Sequence, residues 1–218
     1  LVPVVDLVAG ARAARTAEGD WLATADVWLH EREPIEAGPI ELATRLLRAG
    51  KRSTVVAVEV SAATEPVMSS TIEFSRIRRD AASLDTAPPG RADQWVRLGS
   101  GPLLDVPLER ACGFRLVDAA SGTVELDRGD FVNNSIGTLQ GGVIALLADV
   151  SGAALVGPGS RTVDLHFRFL DQTGRGPARA TAEFLRTDTE GHLVKVEIVD
   201  TSTDRLVGWA NCRVVAPN

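Results

Sequence analysis

The stretch that decides the reading is Asn134-Ser135-Ile136-Gly137-Thr138-Leu139-Gln140-Gly141-Gly142-Val143-Ile144-Ala145-Leu146-Leu147-Ala148-Asp149. It begins as a polar loop, passes through a glycine pair and becomes an apolar helix that continues to Val156. Ala and Leu dominate the helix, and Gly157-Pro158-Gly159 stops it. A helix that is apolar on every side is a buried helix. Asp149 lies about two turns into it, where an unpaired carboxylate is costly, so a chemical use is expected of it. Gly141 and Gly142 fall at the helix start, where N–H groups lack an internal partner and the dipole favours negative charge. Glycines there admit a ligand close to the backbone, or let the helix pack closely on a strand. Asn134 fits either a site donor or a turn residue.

Four short runs follow the helix, Thr162–Leu170, Ala180–Arg186, His192–Asp200 and Val207–Val215, rich in Val, Leu, Phe and Thr. They read as strands, with hairpin turns expected at Thr173–Gly176 and Asp188–Gly191. Before the helix, Gly113–Val117 and Gly122–Leu126 read as another hairpin.

The first half repeats this order. A shift of 138 carries Leu47-Arg48, Val56, Val58 and Glu59 onto Leu185-Arg186, Val194, Val196 and Glu197, and it carries Thr24 and Asp26 onto Thr162 and Asp164. Further upstream, a shift of 143 carries Asp6 onto Asp149. The first half therefore reads as a helix over Leu1–Ala14, then strands over Ala23–His30, Glu41–Arg48, Thr54–Ser61 and Ser69–Ile77. Residues 79–93, with Pro88-Pro89-Gly90, read as a linker between units 1–78 and 94–218. The apolar start at Leu1 suggests that the first unit lacks an upstream piece. The fold class is α+β: each unit is a long buried helix wrapped by an antiparallel sheet of about five strands. Edge-to-edge pairing of two such units would cover an exposed edge.

The chain has 218 residues, 44% hydrophobic and 24% charged, which excludes a disordered chain. A net charge of −6 argues against a protein that grips nucleic acid. The two cysteines, Cys112 and Cys212, lack metal-ligand spacing and read as reduced thiols of a cytoplasmic protein. No uncharged apolar run approaches the roughly 20 residues of a membrane span. The three histidines fall in no HExxH pattern, so no metal is expected, and no cofactor motif is present. Without Gly-x-Ser-x-Gly or a Walker lysine, a serine hydrolase and a P-loop enzyme are both disfavoured. Arg175 and Arg179 read as solvated surface residues that could also reach the phosphates of a coenzyme.

The Asn134…Gly137…Gly141-Gly142…Asp149 pattern resembles the signature of PaaI-type thioesterases of the hotdog-fold superfamily, and the repeat makes the chain similar to double-hotdog proteins. One departure stands out: Gln140 occupies the place of the family's histidine, and it can donate a hydrogen bond but not take a proton at neutral pH. The resemblance implies hydrolysis of an acyl-CoA thioester by a chain that forms homo-oligomers. The Gly141 N–H would polarise the carbonyl, Asn134 would hold water or thioester, and Asp149 would act as nucleophile or general base. Gly142 and Thr162 would border the substrate. Where two units share a site, the carboxylate comes from the other unit's helix. Asp6, with Thr24 beside it, would then serve the Asn134–Gly141 loop, while Asp149 faces a counterpart loop ahead of Leu1. A non-catalytic acyl-CoA-binding module is the alternative, kept open by Gln140. A hotdog hydratase ranks behind both, since it would want a histidine in the motif.

Overall fold

The computed structural model describes residues 1–35, 38–78, 104–134, 137–174 and 176–217. The expected linker and Arg175 lie outside the described residues.

The helix over the first residues forms as α1 (Val2–Ala14), with Pro3 in its first turn, where a missing N–H costs nothing. Four strands follow: β1 (Trp21–Glu31), β2 (Ile40–Ala49), β3 (Ser53–Ala62) and β4 (Glu65–Ile77). The second half opens with a one-turn helix, α2 (Leu108–Ala111), which the sequence pattern did not announce. The short hairpin β5 (Arg115–Asp118) and β6 (Thr123–Leu126) precedes α3 (Gly141–Val156). The last strands are β7 (Arg161–Phe169), β8 (Ala178–Asp188), β9 (Gly191–Asp200) and β10 (Arg205–Val215).

The ten strands among the described residues join one antiparallel sheet in the order β2-β3-β4-β1-β7-β10-β9-β8-β6-β5. The sheet is continuous through β1 and β7, with Val27 opposite Phe167 and Leu29 opposite Leu165. Among the described residues four strands come from the first half and six from the second, where about five each are expected. The expected hairpin at Thr173–Gly176 does not form. β7 pairs with β1 and β10, and β8 pairs with β9 and β6, so the segment after Phe169 is a crossover. Its Gly and Thr residues mark a loop correctly, but two-residue patterns do not say which strands a loop joins. The turn at Asp188–Gly191 is a hairpin as expected.

The long helices α1 and α3 pack on the sheet and on each other: α1 against β1–β4, and α3 chiefly against β6–β10. The alternation in β3 (Val56, Val58, Val60) and β9 (Val194, Val196, Ile198) turns these side chains inward, where each is fully buried. Full burial stabilises such a side chain by roughly 1.5–3 kcal/mol. On the opposite face of the β1–β7 seam, Asp26 accepts from Arg168 (2.8 Å) and pairs with His166 (3.0 Å), and His30 pairs with Asp164. These pairs are exposed on their basic side, so each contributes little to stability.

Candidate active site

The site forms where α1 meets the start of α3. Gln140 is the N-cap of α3, and its Oε1 accepts from Val143 N–H at 2.8 Å. That leaves its amide nitrogen free to reach α1, where Nε2 donates to Asp6 Oδ2 at 2.6 Å. Gly142 N–H donates to the same oxygen at 3.0 Å, and Thr24 Oγ1 donates to Oδ1 at 2.9 Å. Asp6 is 4% exposed. Burial raises its pKa, outweighing the three donors, which favour the charged form. A buried carboxylate with a raised pKa is poised to take a proton.

The two glycines are required by this approach. A methyl on Gly141 would sit 2.6 Å from Thr24 Oγ1, and one on Gly142 would sit 2.6 Å from the Pro3 Cα. Close packing of α1, β1 and α3 therefore accounts for both side-chain positions. The Gly141 N–H has no hydrogen-bond partner among the described residues, while the next three N–H groups of α3 are satisfied by Asp6 and Gln140.

A bulge in β1 sets Thr24 in place. Thr24 faces Phe74 and Asp26 faces Glu73, so Ala25 is the extra residue. Bulges re-aim side chains in this way beside functional sites. Thr24, Gly141 and Asn134 line a cavity of about 290 Å³, with Ile144, Phe169 and Thr173 among its other walls. Asn134 engages its own loop: Oδ1 accepts from Thr138 N–H at 3.0 Å, and Nδ2 donates to Thr138 Oγ1 at 2.7 Å.

The structure therefore brings together Asp6, Thr24, Gln140, Gly141 and Gly142, with Asn134 across the cavity. Asp149 and Thr162 stand apart, since eight residues of α3 separate Asp149 from Gly141, about 12 Å of helix rise. Asp149 is half-buried, and burial raises its pKa against the opposing influence of Thr162. Among the described residues Thr162 Oγ1 makes no hydrogen bond of normal geometry. Arg179 pairs with Glu125 on the surface and takes no part in the cavity. Both thiols are buried, with pKa values pushed up by burial and by neighbouring carboxylates, so neither is a nucleophile. The described residues contain no cluster suited to a metal ion and no helix long and apolar enough to cross a membrane.

Three residues were not singled out from the sequence: Thr173, on the cavity wall, and Arg128 and Asp200, which both bond to Gly174. Asp200 had a readable signal, because it continues the inward alternation Val194, Val196, Ile198 and so places a carboxylate on the buried face.

Solved structures settle the fold. A protein from Lactobacillus plantarum, provisionally assigned as an oleoyl thioesterase, aligns with a TM-score of 0.65 over 99% of this chain and 88% of its own, at 11% identity. The tesB protein of Mycobacterium avium subsp. paratuberculosis aligns at 0.61 over 95% of this chain and 85% of its own, at 16% identity. A conserved hot dog fold protein from Alicyclobacillus acidocaldarius aligns at 0.57 over 98% and 87%, at 14% identity. The chain has a hotdog fold. No protein-family profile and no curated protein sequence matches it.

Proposed function

We propose that this hotdog chain hydrolyses an acyl thioester, with acyl-CoA as the substrate class. The observation that carries the reading is the buried Asp6 carboxylate, held by Thr24, Gln140 and Gly142 at the start of α3, with Thr24 and Gly141 opening on the cavity. Asp6 acts as general base and not as direct nucleophile, because three donors and burial hold both oxygens in place. A water beside Thr24 gives its proton to Asp6 as its oxygen attacks the thioester carbon. The Gly141 N–H, left without a protein partner at the positive end of α3, stabilises the oxyanion. Collapse of the intermediate expels the thiolate, and the Asp6 proton passes to it. Gln140 takes the place of the histidine in the PaaI-type signature by donating to the carboxylate, a task that needs no titration. The thioesterase names of similar structures support this reading.

The chain is read as two tandem hotdog units, 1–78 and 94–218. Several placements support this. β8 begins 138 residues after β2, and β9 begins 138 residues after β3. The bulge of β7, where Val163 is the extra residue against Arg213 and Val214, lies 138 residues after Ala25. Asp149 and Thr162 are then the counterparts of Asp6 and Thr24.

Because three donors already occupy Asp6 and leave it about one open acceptor position, a chain that only binds acyl-CoA is the second reading. Release of free CoA, followed with a thiol reagent over a panel of acyl-CoA esters, separates the two. Turnover lost in Asp6→Asn supports hydrolysis at this site. Binding of acyl-CoA without release would overturn it.

A further inference from the structure

Two loops that share no hairpin both line the cavity and touch each other. One is the loop that leads into α3, containing Asn134, Thr138 and Leu139. The other is the β7–β8 crossover, containing Asp171, Gln172 and Thr173. Asp200, at the end of β9 and 2% exposed, lies beneath the crossover. Its Oδ2 accepts from Gly174 N–H at 2.9 Å. Its Oδ1 accepts from Gly176 N–H at 3.2 Å, from Ser202 N–H at 3.0 Å and from Ser202 Oγ at 2.7 Å. The fit is close, since a methyl on Gly176 would lie 2.8 Å from Asp200 Oδ1.

The crossover in turn holds the other loop. Thr173 is 3% exposed, and its Oγ1 accepts from Leu139 N–H at 3.3 Å. Leu139 directly precedes Gln140, the residue that donates to Asp6. Arg128 adds a second tie from the surface, donating to Gly174 O at 2.6 Å and also to Gly137 O. At the matching place in the first half stands Ala62, which cannot accept a hydrogen bond through its side chain.

We propose that Asp200 is a positioning residue: through Gly174 and Gly176 it fixes the crossover, whose Thr173 hydroxyl fixes Leu139 and so holds Gln140 against Asp6. Its catalytic consequence rests on the hydrolytic reading above; its structural part does not. A carboxylate suits the task because it only accepts, and the backbone groups of Gly174, Gly176 and Ser202 that bond to it are N–H groups. An asparagine of the same shape would turn a donor toward one of those N–H groups and leave it unsatisfied.

Amide hydrogen exchange by NMR and steady-state kinetics test this on Asp200→Asn, Thr173→Val and Thr173→Ser of the full chain. In Asp200→Asn and Thr173→Val, exchange at Leu139 rises roughly tenfold or more, the size expected when one hydrogen bond of about 1.4 kcal/mol is lost. Thr173→Ser keeps the wild-type rate. With a thioester that the wild type hydrolyses, kcat falls roughly 10- to 100-fold in the first two variants, the range for a displaced catalytic group, with KM nearly unchanged. Thr173→Ser retains kcat. Slow Leu139 exchange in a folded Asp200→Asn chain overturns the proposal, as does an unchanged kcat. If Asp200→Asn does not fold, the Thr173→Val and Thr173→Ser pair decides on the same readouts. A wild type that hydrolyses no thioester defeats the hydrolytic reading instead, and the exchange rates still judge the tie.

Discussion

At the scale of single residues, Asp6 and Gln140 divide one task. In the proposed reaction the carboxylate takes the proton, while the Gln140 amide donates to the carboxylate and caps α3. Asp6→Asn removes the base and should lower kcat on the order of 10²-fold or more, measured as CoA release. Because burial raises the Asp6 pKa, the acidic limb of kcat/KM should lie above 3.8, the ordinary value for an aspartate. The same shift has a sign for stability. The folded chain binds this proton more tightly than the unfolded chain, so the contribution is fully present below pH 3.8 and is lost as pH rises through the raised pKa. Urea midpoints across that window should show the slope in the wild type and lose it in Asp6→Asn. Gln140→Glu would set a second carboxylate where Nε2 now lies 2.6 Å from Asp6. The pair can ionise only once with ease, so this variant's acidic limb should move to higher pH and its stability should fall more steeply from pH 5 to pH 8. Profiles that match the wild type would remove Gln140 from the site.

At the scale of elements, the site exists because α1 and α3 approach closely enough for a side chain of one to receive an N–H of the other. Gly142 permits this. In Gly142→Ala the added methyl meets the Pro3 backbone at 2.6 Å, and backbone cannot swing aside as a flexible side chain can. Overpacking of this kind costs about 1–3 kcal/mol. The variant should melt several degrees lower and also lose turnover, since displacing α1 withdraws Asp6 from Gln140. A lowered melting temperature with intact turnover would separate the crossing from the chemistry. The bulge at Ala25 works at the same scale, turning Thr24 toward Asp6 where regular pleating would continue the ladder.

At the scale of the whole molecule, the β1–β7 seam makes one sheet from both halves. Phe167 is fully buried there and packs edge-on against Phe169, a wall of the cavity, with ring centroids 4.5 Å apart. Phe167→Ala should cost about 3–5 kcal/mol. The seam also has Asp6 of one half serving a loop of the other, so calorimetry should show one cooperative transition moved to lower temperature. Two separated transitions, with only one moved, would mean that the halves fold independently.

The sequence by itself determined α3 to the residue, from Gly141 to Val156, and most strand positions to within a few residues. Those features are local: hydrophobic period, a glycine start and a Gly-Pro-Gly stop. The matching residues at shifts of 138 and 143 also pointed from Asp149 back to Asp6, because such matches can be read along the chain. Which carboxylate stands at Gly141 was not written there. Asp149 is close in sequence but about 12 Å along a rigid helix, and Asp6 is 135 residues away in sequence but across a helix crossing. The segment after β7 reads as a hairpin in sequence and is a crossover in the structure for the same reason, since Thr and Gly mark a turn in the chain and not the strand it leads to. Burial decided the rest. Desolvation of Asp6, the donors from Gly174, Gly176 and Ser202 on Asp200, and a Gly141 N–H unpartnered among the described residues are properties of groups removed from water by distant segments, and only the tertiary structure brings those segments together.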